Sequence, residues 1–89
     1  MKEEMKRALK QRLRSLALET RATLGLTQKE MSELLSIGER SYCDIESGTS
    51  ICGTLTVILL LSMQDDPNII LQSLREDFDL ILEKEMQPT

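Results

Sequence analysis

The first 24 residues repeat a mostly apolar stripe at the three- and four-residue spacing of an amphipathic helix. The positions in this stripe are Met5, Leu9, Leu13, Leu16 and Thr20. Gly25 follows at a place where helices commonly end, because glycine adopts the left-handed conformation at low cost. The pattern therefore predicts a long first helix that ends near Leu24.

Two short helices are predicted next. Thr27 and Glu30 have the spacing of a capping box, in which each side chain accepts a hydrogen bond from a free amide at the start of a helix. The second helix should begin there, and the chain should turn through residues 36–38. A third helix is predicted from about Glu39 to Ser47. Its inward-facing residues should be Tyr42 and Ile45.

The last third of the chain predicts two more helices. Thr54 is the expected cap of a fourth helix that runs to about Met63, and its leucine-rich sequence suggests that neighbours surround it on most sides. Asp66 and Pro67 form a strong start signal, an acidic cap followed by proline at the first helical position. The fifth helix should run toward Met86. Its expected apolar side consists of Ile70, Leu71, Leu74, Phe78, Ile81 and Leu82.

These elements predict an all-α fold, a compact bundle of about five helices in a single domain over residues 1–89. The chain has no histidine, and Cys43 and Cys52 form no zinc-binding spacing, so neither metal binding nor a histidine-based active site is expected. We therefore expect no enzyme activity, no catalytic residues and no cofactor. The longest apolar run, residues 55–61, is too short to span a bilayer, and a cytoplasmic protein without a membrane partner is predicted.

The net charge of −4 argues against a general nucleic-acid binder, because affinity for phosphate comes from lysine and arginine. The charge is unevenly distributed, however. Residues 1–24 contain seven basic and three acidic side chains, whereas residues 25–48 and 49–89 carry net charges of −3 and −5. A basic first segment is thus followed by an acidic remainder.

The predicted second and third helices and the turn between them have the packing pattern of a helix-turn-helix. Five apolar residues occupy the positions that lock the two helices together, and a small serine, Ser32, stands where they would cross. The five are Met31, Leu35, Ile37, Tyr42 and Ile45. The stretch RATLGLTQKEMSELLSIGERSYCDIESG, from Arg21 to Gly48, resembles the phage repressor/Cro-type family, also called the xenobiotic-response-element family.

The resemblance implies a lambda-repressor-like DNA-binding domain with an extended first helix. The helix-turn-helix core would cover residues 12–66, and the long C-terminal helix over residues 67–87 would be a candidate dimerisation element. Two departures from the family pattern stand out: Ser36 replaces the usual turn glycine, and Gly38 replaces the usual serine or threonine cap of the third helix.

The resemblance also assigns roles in DNA binding. The third helix would enter the major groove, and Arg40 would make a two-pronged contact with guanine. Gln28 would contact a phosphate at the start of the second helix. The residues expected to face DNA are Gln28, Glu39, Arg40, Ser41, Cys43, Asp44, Thr49 and Ser50. Arg21 and Glu46 would form an internal salt bridge, and Arg12 and Arg14 are the preferred auxiliary contacts with DNA.

Two hypotheses follow. In the first, the chain is a sequence-specific transcriptional regulator, a repressor that binds double-stranded DNA at a palindromic operator as a homodimer. In the second, it is a protein-interaction module, such as an antitoxin or a partner subunit, whose acidic surface over residues 65–85 binds a basic protein partner. Basic residues are nearly absent beyond position 40, which favours the second hypothesis. Cys43 is either a redox switch on the DNA-facing surface or, more simply, a thiol without function.

Overall fold

The computed structural model of the protein describes residues 2–51 and 53–86. It contains five helices and, within those two ranges, no strand, which confirms the predicted all-α class. The helices are α1 (Lys2–Leu24), α2 (Gln28–Leu34), α3 (Glu39–Glu46), α4 (Thr54–Ser62) and α5 (Pro67–Met86). None of the helices in the described part of the chain combines the length and apolar character that crossing a membrane requires.

Helix α1 is the central element, because α3, α4 and α5 all pack against it. Its buried side follows the predicted stripe in its second half. The core is small and almost entirely aliphatic. Its buried apolar residues are Leu13, Leu16, Ala17, Met31, Leu35, Tyr42, Ile45 and Leu60. The unit formed by α2 and α3 is therefore held on α1 by side chains from all three helices.

The predicted start of α2 is confirmed. The amide of Glu30 donates to Thr27 Oγ1 at 3.1 Å, and the amide of Thr27 donates to Glu30 Oε1 at 3.0 Å. The turn before α3 places Ser36 at a φ of 58°, in the left-handed region where glycine is favoured. The amide of Ile37 then donates to the Ser32 carbonyl at 3.0 Å, so the turn closes despite the serine.

Two expectations for α4 are wrong. Gly53, rather than Thr54, is the cap of the helix; its backbone is extended and no side chain caps the first amides. The helix is also not surrounded by neighbours. Only Thr56 and Leu60 are buried, while Leu55 and Ile58 are exposed. Val57, Leu59 and Leu61 are partly buried against the core, so one side of α4 packs on the domain and the other faces solvent.

Helix α5 begins where the sequence predicts, with the amide of Asn68 donating to Asp66 Oδ1 at 3.1 Å. Its apolar side is less buried than expected. None of its residues is fully buried, and both Leu71 and Leu82 are exposed. A polar contact helps to hold α5 on α1, because Arg12 donates through two nitrogens to both carboxylate oxygens of Asp77, at 2.7 and 2.9 Å.

Candidate functional site

Helix α3 is anchored along one face. Tyr42, Ile45 and Glu46 are buried, and the Tyr42 hydroxyl donates to the carbonyl of Ala17 on α1 at 3.3 Å. These three positions recur at the spacing that places side chains on one side of a helix. The opposite side of α3 is therefore left to face solvent, over a rigid support.

The structure contains the Arg21–Glu46 ion pair. Arg21 donates from Nε to Glu46 Oε2 at 2.6 Å and from Nη2 to Oε1 at 3.0 Å, the two-pronged geometry of a strong charge-assisted pair. Arg21 also donates from Nη1 to the Leu26 carbonyl at 3.2 Å. One side chain of α1 thus ties both the end of α3 and the loop before α2.

The pKa of Glu46 reflects these contacts. Burial raises it, but the hydrogen bonds from Arg21, with Tyr42 and Gln28 beside them, outweigh burial and hold the pKa below its ordinary value. Burial and the neighbouring Glu46 carboxylate raise the pKa of Tyr42, so its hydroxyl stays protonated. The hydrogen bond with Glu46 raises the pKa of Arg21. The site therefore keeps one fixed pair of opposite charges at neutral pH.

Gln28 joins the start of α2 to α3. Its Nε2 donates to Glu46 Oε1 at 3.1 Å, and its Oε1 accepts a weak hydrogen bond from the Cys43 thiol at 3.4 Å. Sequence reasoning assigned Gln28 a phosphate contact and did not anticipate either bond. Its carboxamide is half-buried and oriented by α3. Gln28 therefore fixes the relative placement of the two helices, whatever else it contacts.

The first turn of α3 carries most of the exposed candidate residues. Glu39, Arg40 and Ser41 are exposed, and Cys43 and Asp44 are half-buried. Arg40 makes no ion pair with any residue that the structure describes. The five predicted DNA-facing residues of α3 therefore lie on its outward side, where the basic Arg40 stands between the acidic Glu39 and Asp44.

The loop after α3 folds back onto the helix. The Asp44 carbonyl accepts from the amides of Thr49 and Ser50, at 3.0 and 3.3 Å, and from Thr49 Oγ1 at 3.1 Å. Thr49 is exposed and Ser50 is half-buried. Gly48, at a φ of 77°, allows this reversal of the chain. The loop residues that the sequence proposed as phosphate contacts therefore lie beside α3.

Both predicted auxiliary arginines make contacts within the fold. Arg12 is paired with Asp77, and this hydrogen bond raises its pKa while lowering the pKa of Asp77. Arg14 donates from Nε to the Glu46 carbonyl at 3.0 Å and lies beside Gly48. A cation at the last carbonyls of a helix is favourable. No local signal reveals the Arg14 contact, since its partner lies 32 residues away.

Comparison of the chain with protein-family models, with curated proteins and with solved structures finds no match in any of the three. Nor do three or more metal-ligating side chains come together anywhere within residues 2–51 and 53–86. The interpretation of the site therefore rests on its own geometry and chemistry.

Proposed function

We propose that the protein is a sequence-specific, cytoplasmic DNA-binding regulator in which α2 and α3 form a helix-turn-helix of the phage repressor/Cro type. The observation that carries the proposal is the mounting of α3. One side is locked by Tyr42, Ile45 and the Glu46 ion pair, and the other presents an unobstructed first turn. A recognition helix needs this combination, because its amino-terminal residues reach the base edges while the rest of the helix is held rigidly.

Arg40 is the principal reader of sequence in this proposal. Its guanidinium is exposed, unpaired within the described chain and able to donate two hydrogen bonds to O6 and N7 of one guanine. Glu39 and Asp44 accept hydrogen bonds, which suits the amino group of cytosine. Occupying a palindromic site as a homodimer would place two such helices in successive major grooves. Repression then follows from blocking a promoter.

The charge of the surface predicts how the protein binds. Glu39 and Asp44 flank the one arginine of α3, and the two auxiliary arginines are engaged in the fold. Few phosphates are therefore neutralised, and the logarithm of affinity should fall only gently with the logarithm of salt concentration. Specific contacts must supply a large share of the binding free energy.

The test is a fluorescence-anisotropy titration with a duplex enriched from a random pool and with a scrambled duplex, at two salt concentrations. Arg40→Ala should weaken binding to the enriched duplex by about 1–3 kcal/mol, the worth of one two-pronged base contact. Arg75→Ala is the matched control, because Arg75 is exposed on α5 and pairs with Asp79, one turn away. Equal binding of both duplexes, or equal loss in both variants, would contradict the proposal.

A second function is favoured by α5. None of its residues is fully buried, and it exposes the acidic residues Glu76, Asp79 and Glu83 together with several large apolar side chains. Such a surface suits a basic protein partner, as in an antitoxin or a partner subunit. Loss of a protein complex in Glu76→Lys, with DNA binding retained, would separate this function from the first.

A further inference from the structure

The segment between Glu46 and Asp65 contains no charged residue, although 29% of the whole chain is charged. Helix α4 lies inside this segment and packs on the core through the buried Thr56 and Leu60 and the partly buried Val57, Leu59 and Leu61. The exposed side of α4 is therefore uncharged, on a chain whose net charge is −4.

The outer side of α4 is apolar and unpartnered. Leu55 is 66% exposed and Ile58 is 56% exposed, and their three-residue spacing places them side by side on the helix. Ile51, which precedes α4, is 37% exposed. We call these three residues the α4 face. Contiguous exposed apolar residues of this kind commonly mark interaction sites.

The α4 face adjoins the proposed DNA-binding helix. Ile51 and Thr56 line a groove of about 330 Å³ whose other wall includes Ser41 and Asp44 of α3. A molecule seated on the α4 face would therefore stand next to Ser41 and Asp44 of α3, away from Glu39 and Arg40, which do not line the groove.

Charge distinguishes the α4 face from the exposed apolar residues of α5. Leu80 is 63% exposed, but Glu76 and Glu83 lie four residues before it and three after it, on the same side of the helix. Two copies of α5 paired in parallel there would bring Glu76 and Glu83 beside their own counterparts, which is destabilising. The α4 face has no charge to oppose its own copy.

We propose that the α4 face is the interface with a second copy of this chain, in which α4 packs against α4 about a two-fold axis. The proposal rests on the proposed function, since it names the partner that supplies the second recognition helix. In a two-fold interface each copy presents the same surface, so residues near the axis meet their own counterparts. Ile58 lies centrally in α4 and is the residue expected closest to that axis. A neutral apolar surface offers nothing to a nucleic acid or to a charged partner.

Sedimentation velocity of the protein without DNA tests the interface separately from DNA binding. Ile58→Glu and Ile58→Lys should each raise the dimer dissociation constant about 30-fold or more, as truncating a central interface residue does. An equimolar mixture of the two variants should recover a dimer, because opposite charges then face each other. Leu80→Glu is the matched control, with similar exposure on α5, and should leave the dimer intact.

Each outcome is decisive. Dimers that persist in both Ile58 variants, or that dissociate in Leu80→Glu instead, would overturn the proposal, and so would a wild-type monomer at all concentrations. Circular dichroism of each variant establishes that it is folded, and recovery in the mixture cannot arise from unfolded chains. A dimer that behaves as expected but fails to bind DNA selectively would contradict the proposed function and leave the interface standing.

Discussion

Replacing Arg21 by methionine should reveal how α3 is held. Methionine retains the length and apolar stem of arginine but leaves Glu46 with no cation. The Glu46 side chain is only 5% exposed, whereas that of Arg21 is 27% exposed. The cost therefore falls on Glu46, because water reaches it poorly once its partner is gone. The weaker hydrogen bond from Gln28 would then remain to support the carboxylate.

The stability lost in Arg21→Met at pH 7 has an upper limit, because a buried carboxylate without its partner can take up a proton. An ordinary glutamate pKa of about 4.3 lies nearly three units below pH 7, and each unit is worth about 1.36 kcal/mol, so protonation costs about 3.7 kcal/mol. We expect stranding Glu46 to cost about 3 kcal/mol, which lowers the melting temperature by roughly 10–25 °C in a domain of this size. Near pH 5 the limit falls to about 1 kcal/mol.

The pH dependence distinguishes a stranded charge from lost packing. In the wild type the pKa of Glu46 is depressed, so its contribution is present above the unfolded-state pKa and is lost only as the pH falls through the folded-state value. In Arg21→Met burial raises that pKa, so acidification relieves the variant. Urea unfolding of the wild type and of Arg21→Met, followed by circular dichroism at pH 7 and pH 5, measures the stability difference at each pH. A penalty that is equal at the two pH values would refute the reasoning.

Two further predictions concern packing and backbone conformation. Leu60→Ala should lower the free energy of unfolding by about 2–5 kcal/mol, because Leu60 is the fully buried apolar contact of α4 with the core. Urea unfolding measures this loss, and a loss under about 1 kcal/mol would contradict the prediction. Ser36→Gly should raise the melting temperature by relieving a left-handed serine, whereas Gly48→Ala should lower it, because its φ is 77° and the added carbon would lie 3.3 Å from Arg14 Cδ. Differential scanning calorimetry of the pair checks both, and shifts of the same sign would contradict the argument.

Local signals predicted most of the fold. The capping box at Thr27 and the Asp66–Pro67 start are decided by neighbouring residues, so the sequence alone places them correctly. The expectation that neighbours surround α4 was wrong, because an apolar composition does not say whether a partner covers the helix. The contact of Arg14 with the Glu46 carbonyl could not be predicted from neighbouring residues either, since it depends on how α1 and α3 pack.

The candidate site was foreseen in part for the same reason. Helical periodicity separates the buried Tyr42 and Ile45 from the exposed Arg40, and this division holds in the structure. The role of Gln28 could not be derived that way, because a glutamine at a helix start can turn either outward or, as here, toward another helix. Charge patterning identified the basic first helix but could not show that Arg12 would form an ion pair with Asp77.

The central claim, that α3 is the surface that contacts DNA, is tested most directly by backbone amide spectra of isotopically labelled protein. A duplex enriched from a random pool would be added in steps. The account predicts that the largest shifts occur at residues 39–44 and at Thr49 and Ser50, with the amides of residues 80–86 unchanged. Failure to enrich any duplex, or shifts confined to α5, would contradict it.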